Sequence, residues 1–265
     1  MHETMLEIKN LFVEFMGRNA AEAVHGISLT MAEGETLGLV GESGSGKTVT
    51  ALSVAGLLRG DVKLSGEINF MGKNLLEMSP KELREVQGKD IGMIFQEPMT
   101  SLNPLMRLGP QIEETLRIHT ELPPQRRREL ALELMGKVGL PDPELIYKKY
   151  PHQLSGGQRQ RAMIASALIC DPKLLIADEP TTALDVTVQA QIIELLARVN
   201  RNRGVGILFI SHDLNVVRKL CSRVAVMYKG VIVEEGPTEE IFRNPQHEYT
   251  KKLIAAIPGR ERRKD

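Results

Sequence analysis

The stretch Gly41-Glu42-Ser43-Gly44-Ser45-Gly46-Lys47-Thr48 decides the fold. It fits the pattern G-x-x-x-x-G-K-[ST] and stands where that pattern has physical meaning, after the apolar run Thr36–Val40 and before a helical stretch over residues 49–58. Its glycines let backbone N–H groups crowd around phosphate oxygens at a helix N-terminus. Lys47 adds a point charge near the β- and γ-phosphates, and Thr48 offers a hydroxyl to Mg²⁺. A Gly-rich turn with a chance lysine is the plainer alternative, and the strand before and the helix after weigh against it.

Outward from the loop, residues 91–95, 174–177 and 206–210 form short, nearly continuous apolar runs separated by helical stretches, the texture of strands buried on both faces of a parallel sheet. Toward the N-terminus the texture changes. Leu6 and Ile8 alternate with charged residues, and Ile27, Leu29 and Met31 alternate with hydroxylated ones, as in half-buried antiparallel strands. Residues 104–151 read as helical, with Ile112, Leu116, Leu130, Leu134 and Val138 spaced for one face, and Pro123, Pro124, Pro141 and Pro143 as punctuation. The pattern predicts a helical subdomain inserted into a sheet domain. After Ser211 follow a helix, two short strands around Lys229-Gly230, and amphipathic helices that lead into a charged tail.

A chain of 265 residues fits one large α/β domain or two small ones, and with 34 basic against 34 acidic side chains no net field draws it to nucleic acid or acidic lipid. Cys170 and Cys221 lack metal-ligand spacing, which suits a reducing compartment and structural thiols. The N-terminus lacks a signal-peptide core and no apolar run reaches about 18 residues, so a cytoplasmic chain that does not itself span a membrane is expected.

Two further segments carry chemistry. In residues 174–179 an apolar strand ends in Asp178 and Glu179, which places both carboxylates at the carboxyl edge of a sheet, where open α/β folds bind ligands. Asp178 would hold Mg²⁺ and Glu179 would face an attacking water; a helix cap or solvated turn is the alternative. Leu154-Ser155-Gly156-Gly157-Gln158 precedes a helix over residues 159–169, so Ser155 and the two glycines open a helix N-terminus suited to anionic oxygens, or simply cap it.

In this order Gly41 to Thr48, Gln96, Leu154 to Gln158, Leu174 to Glu179, Ala183-Leu184-Asp185 and His212 resemble the Walker A, Q-loop, signature, Walker B, D-loop and H-loop motifs of the ATP-binding-cassette (ABC) ATPases. The resemblance spans nearly the whole chain. It implies a P-loop NTPase core with a mostly parallel sheet, an N-terminal antiparallel β-subdomain and an inserted α-helical subdomain. Residues 1–265 would form one ABC ATPase domain, with residues 104–151 as the insertion between 1–103 and 152–265.

The same resemblance implies ATP hydrolysis with Mg²⁺. Gly41, Ser43, Gly44, Ser45, Gly46, Lys47, Thr48 and Val49 would hold the phosphates. Thr48, Gln96 and Asp178 would serve the metal. Glu179, His212 and Gln96 would act in catalysis. Two cassettes would pack head to tail, so that Ser155, Gly156, Gly157 and Gln158 of one meet the nucleotide of the other, with Asp185 communicating between sites. Phe15 best matches the aromatic residue on which the family stacks adenine, Phe12 is its rival, and core packing is the alternative for either.

Residues 96–104, Tyr150-Pro151-His152-Gln153 and residues 244–250 look like the oligopeptide, dipeptide and nickel importers of that family. This implies two membrane permease subunits as partners, a second ATPase subunit that in this group is often non-identical, an extracytoplasmic binding protein met only indirectly, no nucleic acid, and a peripheral position on the cytoplasmic face of the inner membrane. Pro98, Asn103 and Pro104 would receive the permease's coupling helix or merely shape a turn. Many members carry cluster-binding cysteines after the Tyr-Thr segment; none follows Cys221 here, and no iron–sulfur cluster is expected. Arg260, Arg262, Arg263 and Lys264, with Arg126, Arg127 and Arg128, read as a solvated surface, with acidic lipid as the sharper alternative. The rival functions are a non-transport ABC ATPase acting on ribosomes or DNA, and a P-loop kinase or GTPase, which would have no use for residues 154–158.

Overall fold

A computed structural model describes residues 3–17, 20–97, 101–182 and 184–257. Pro98, Ala183 and the basic tail residues Arg260, Arg262, Arg263 and Lys264 lie outside the described residues. The chain divides into two compact units, Met1–Ser79 with Gly206–Asp265, and Pro80–Val205.

The first unit opens with β1 (Thr4–Phe15) and β2 (Ala21–Ala32), whose alternating apolar residues bury one face and pair antiparallel, Ile8 opposite Leu29. The short strand β3 (Thr36–Val40) is buried at all five positions and runs into the phosphate loop and α1 (Lys47–Val54), which ends before the expected residue 58. Two strands not read from the sequence follow, β4 (Val62–Phe70) and β5 (Lys73–Asn74), giving the antiparallel order β2-β1-β4-β5. Val62, Leu64, Ile68 and Phe70 of β4 do alternate, but Gly66 interrupts them. At φ +100°, with the Asn10 carbonyl oxygen 2.2 Å from where its Cβ would sit, Gly66 marks a bulge where the β1–β4 register shifts.

In the second unit α2 (Pro80–Val86) precedes β6 (Ile91–Ile94), and the predicted helical segment resolves into α3 (Leu108–Ile112), α4 (Glu114–His119), α5 (Pro124–Lys137) and α6 (Pro143–Tyr147). Tyr147 seats its ring against Gly109, where a Cβ would approach it to 2.3 Å, and donates a hydrogen bond to Glu113. Burial, followed by Glu113, pushes its phenol up to about 12. Then come α7 (Gly156–Leu168), the fully buried β7 (Leu174–Asp178), parallel to β6, and α8 (Val186–Arg203). Gly92 lets α7 lie close to β6: a Cβ there would sit 2.4 Å from the Ala167 carbonyl oxygen.

The chain returns to the first unit with β8 (Gly206–Ser211), α9 (Leu214–Leu220), β9 (Arg223–Tyr228), β10 (Val231–Pro237), α10 (Thr238–Arg243) and α11 (Glu248–Ala255). Here β3 lies parallel to both β8 and β9, and β10 pairs antiparallel with β9 at the edge. All of β8 and the middle of β9 are buried, as the unbroken apolar runs require, and each wholly buried Leu or Ile contributes roughly 1.5–3 kcal/mol. Both cysteines are free. Burial pushes the Cys170 thiol up to about 11 and raises that of Cys221 further, which leaves both poor nucleophiles at neutral pH. Among the described residues no helix is long and apolar enough to cross a membrane.

Candidate active site

In the first unit the phosphate loop joins β3 to α1, and its backbone is possible only with glycine at two positions. Gly41, at φ +155°, would place a Cβ 2.1 Å from the Met227 carbonyl oxygen. Gly46, at φ +104°, would place one 2.6 Å from both the Ala23 carbonyl oxygen and the Met227 Cε. The loop therefore lies directly on the end of β9. Gly230 fixes it again by donating its N–H to the Ser45 carbonyl at 3.0 Å.

Lys47 is buried, and its ammonium donates to the carbonyls of Gly41 and Glu42, each at 2.8 Å, and to the Ser45 hydroxyl at 3.3 Å. Ser43, Gly44 and Thr48 are exposed, while Val49 is half-buried. Register pairs Val40 with Ser211, so the loop and His212 leave neighbouring parallel strands at the same carboxyl edge; the His212 side chain is exposed.

Phe15, the last residue of β1, is half-buried and lies opposite Ala21 and Val62. Its rival Phe12 is more exposed and covers Gly26, whose missing Cβ leaves room for the ring at 2.7 Å.

The second unit gathers Gln96, Asp178 and Glu179. Parallel pairing sets Ile94 opposite Ala177, so the residues just beyond both strands come together. Asp178 is buried at the end of β7. Glu179 takes a left-handed backbone, φ +45°, and its carboxylate Oε2 accepts from the Gln96 amide at 3.2 Å and from the Thr182 hydroxyl at 2.9 Å. A non-glycine residue in that region costs on the order of 1–3 kcal/mol and clusters at functional positions. Thr182 was not singled out from the sequence; a hydroxyl three residues after the second carboxylate is the signal that marks it.

Ser155 caps α7, which starts at Gly156 rather than at residue 159, because the two glycines themselves turn helical. The Ser155 hydroxyl accepts from the Gln158 N–H at 3.3 Å, and the Gln158 side-chain oxygen accepts from the Ser155 N–H at 3.1 Å, a reciprocal capping box. Gly157 packs against Val188, leaving 3.0 Å between its Cβ position and a methyl group. Asp185 caps the adjoining α8 by accepting from the Val188 N–H at 2.9 Å.

Known proteins match this arrangement. A sequence profile of the ABC transporter family matches residues 24–182, and one for the C-terminal region of oligopeptide/dipeptide transporters matches residues 233–265. A probable peptide ABC transporter ATP-binding protein, y4tR of Sinorhizobium fredii, is 48% identical over 263 residues, covering 98% of this chain and 78% of that protein. The oligopeptide transport ATP-binding protein OppD of Bacillus subtilis is 49% identical over 261 residues, covering 97% and 73%. Among solved structures, the dimeric post-hydrolysis state of the ATP-binding cassette MJ0796, bound to ADP and Pi, superposes with a TM-score of 0.80 at 30% identity, covering 88% of this chain and 99% of that one. The α/β architecture is that of a P-loop ABC ATPase, and the chain belongs to the ABC transporter family, among its peptide-transport ATP-binding proteins.

Proposed function

We propose that this chain is the ATP-hydrolysing subunit of a peptide importer, coupling turnover to cargo movement through two membrane permease subunits. The observation that carries the hydrolytic part is the Gln96–Glu179 contact at the ends of β6 and β7, which sets a carboxylate base beside an amide able to orient water. The transport part rests on relatives named for peptide transport. Nickel, the other cargo of the wider group, has no such support.

In this reading Gly41 to Val49 hold the phosphates of ATP through backbone N–H groups and the Lys47 charge, and Phe15 stacks on adenine. Glu179 accepts the proton of the attacking water, Gln96 orients that water and His212 contacts the γ-phosphate. Thr48, Gln96 and Asp178 offer hydroxyl, amide and carboxylate oxygens, the hard donors that Mg²⁺ prefers, so the donor set fits that ion. When bound, Mg²⁺ would neutralise charge on the phosphate oxygens. A second ATPase subunit would supply Ser155, Gly156, Gly157 and Gln158 to each nucleotide, with Asp185 linking the two sites, and the assembly would lie on the cytoplasmic face of the inner membrane.

The deciding experiment is reconstitution of the chain with its permease subunits, a partner ATPase and the binding protein in vesicles. ATP hydrolysis is expected to rise with added peptide and not with nickel, and Lys47→Ala is expected to weaken Mg-ATP binding. Hydrolysis indifferent to peptide, or co-purification with ribosomes or DNA instead of permease, would overturn the reading.

A further inference from the structure

The C-terminal segment around Tyr249 belongs to none of the motifs that handle ATP, yet it reaches the phosphate loop. Tyr249 is buried in α11, and its hydroxyl accepts the Glu42 N–H at 2.8 Å across 207 positions of sequence. The Glu42 carbonyl, meanwhile, accepts from the Lys47 ammonium. Both backbone groups of the loop's second residue are thereby tied, one to the phosphate-binding lysine and one to the C-terminal helix.

Tyr249 itself is held firmly. Its ring stacks on Tyr228 with centroids 4.2 Å apart and planes inclined by 29°, and Tyr228 ends β9, the strand whose Met227 carbonyl abuts Gly41. The turn into α11 is anchored by Glu234 of β10, whose carboxylate accepts the N–H groups of Gln246 at 2.7 Å and His247 at 2.9 Å. His247 then caps the helix by accepting the Tyr249 N–H on its Nδ1 at 3.2 Å. All of these groups lie in one compact unit.

We infer that Tyr249 is a positioning residue for the phosphate loop, holding Glu42 and through it Lys47 in the conformation that binds the phosphates of ATP. The inference rests on the assignment of the loop as an ATP site. A Glu42 N–H held by the phenol fixes the peptide plane at the loop's entrance, and the Ser45 N–H closes the turn by donating to the Glu42 carbonyl at 3.2 Å, so less of the loop's conformation has to be found on binding. The aromatic stack and the Glu234 anchor make that fixture rigid.

Tyr249→Phe removes the acceptor and keeps the ring. In the full-length chain it is expected to weaken Mg-ATP binding about three- to tenfold, the worth of one neutral hydrogen bond. KM for ATP should rise by the same factor in the reconstituted transporter, with kcat changed less than about twofold. Hydrogen exchange at the Glu42 amide should accelerate, while the melting temperature should stay within about 2 °C. ATP affinity and Glu42 exchange equal to the parent's would overturn the inference, as would an affinity loss accompanied by a general fall in melting temperature. A parent chain that failed to bind Mg-ATP at all would instead overturn the ATP-site assignment.

Discussion

Glu179→Gln separates the chemistry of the carboxylate from its placement. The replacement has the same shape, and its amide oxygen can still accept from the Gln96 amide or the Thr182 hydroxyl, which now reach the carboxylate at 3.2 and 2.9 Å. A positioned proton acceptor contributes ~10²–10⁴-fold to rate, or roughly 3–5 kcal/mol of barrier. One hydrogen bond to a charged group is worth about 1.5–3 kcal/mol, and Thr182 is exposed, so water can partly replace it and the low end applies. Steady-state hydrolysis at saturating Mg-ATP should therefore fall at least a hundredfold in Glu179→Gln, with ATP binding retained, and roughly tenfold in Thr182→Val. Because Thr182 acts through Glu179, the double variant should be no slower than Glu179→Gln alone. Near-normal turnover in Glu179→Gln would remove it as the base, and full additivity in the double variant would refute the link to Thr182.

Three other perturbations test the remaining parts. Gly46→Ala forces a side chain into a left-handed backbone with 2.6 Å contacts on two sides; calorimetry should show a loss of roughly 1–3 kcal/mol, and nucleotide titration should show ATP binding lost. Ser155→Ala removes the α7 cap at a cost of about 1 kcal/mol, and it should abolish hydrolysis by paired cassettes while leaving ATP affinity of the single chain unchanged, as read by binding and turnover measured side by side. Tyr147 has its folded-state phenol raised from 10.0 to about 12, so its stabilising effect is complete below about pH 10 and is lost as pH rises through about 12; denaturant unfolding across that window should weaken in the parent more than in Tyr147→Phe.

The turn from Gly41 to Thr48 was legible because its backbone signals are local: eight consecutive residues, a buried strand before them and a helix after, with glycines where backbone contacts exclude any Cβ. The buried strands were legible for the same reason, since β3, β7 and β8 are short apolar runs with little polar content. By contrast, β4 was missed because Gly66 breaks its alternation at a bulge, a feature whose sense appears only opposite Asn10. The start of α7 was misplaced because glycine is a poor helix former, and the reciprocal Ser155–Gln158 cap outweighs that preference.

The contacts that give the site its shape are of another kind. Nothing near Glu42 in sequence announces an acceptor for its N–H; that acceptor is a tyrosine 207 positions away, brought in by β9 and β10. Likewise Glu179 carries no mark of a left-handed backbone, which glycine would adopt freely and glutamate does not. Its strain persists because Gln96, delivered by the neighbouring parallel strand, and Thr182, delivered by the turn that follows, both hold the carboxylate. The hydrogen bonds that aim the proposed base are thus also those that retain its backbone. A substitution that weakens them should cost activity and local order together, whereas one that removes only the negative charge should cost activity alone.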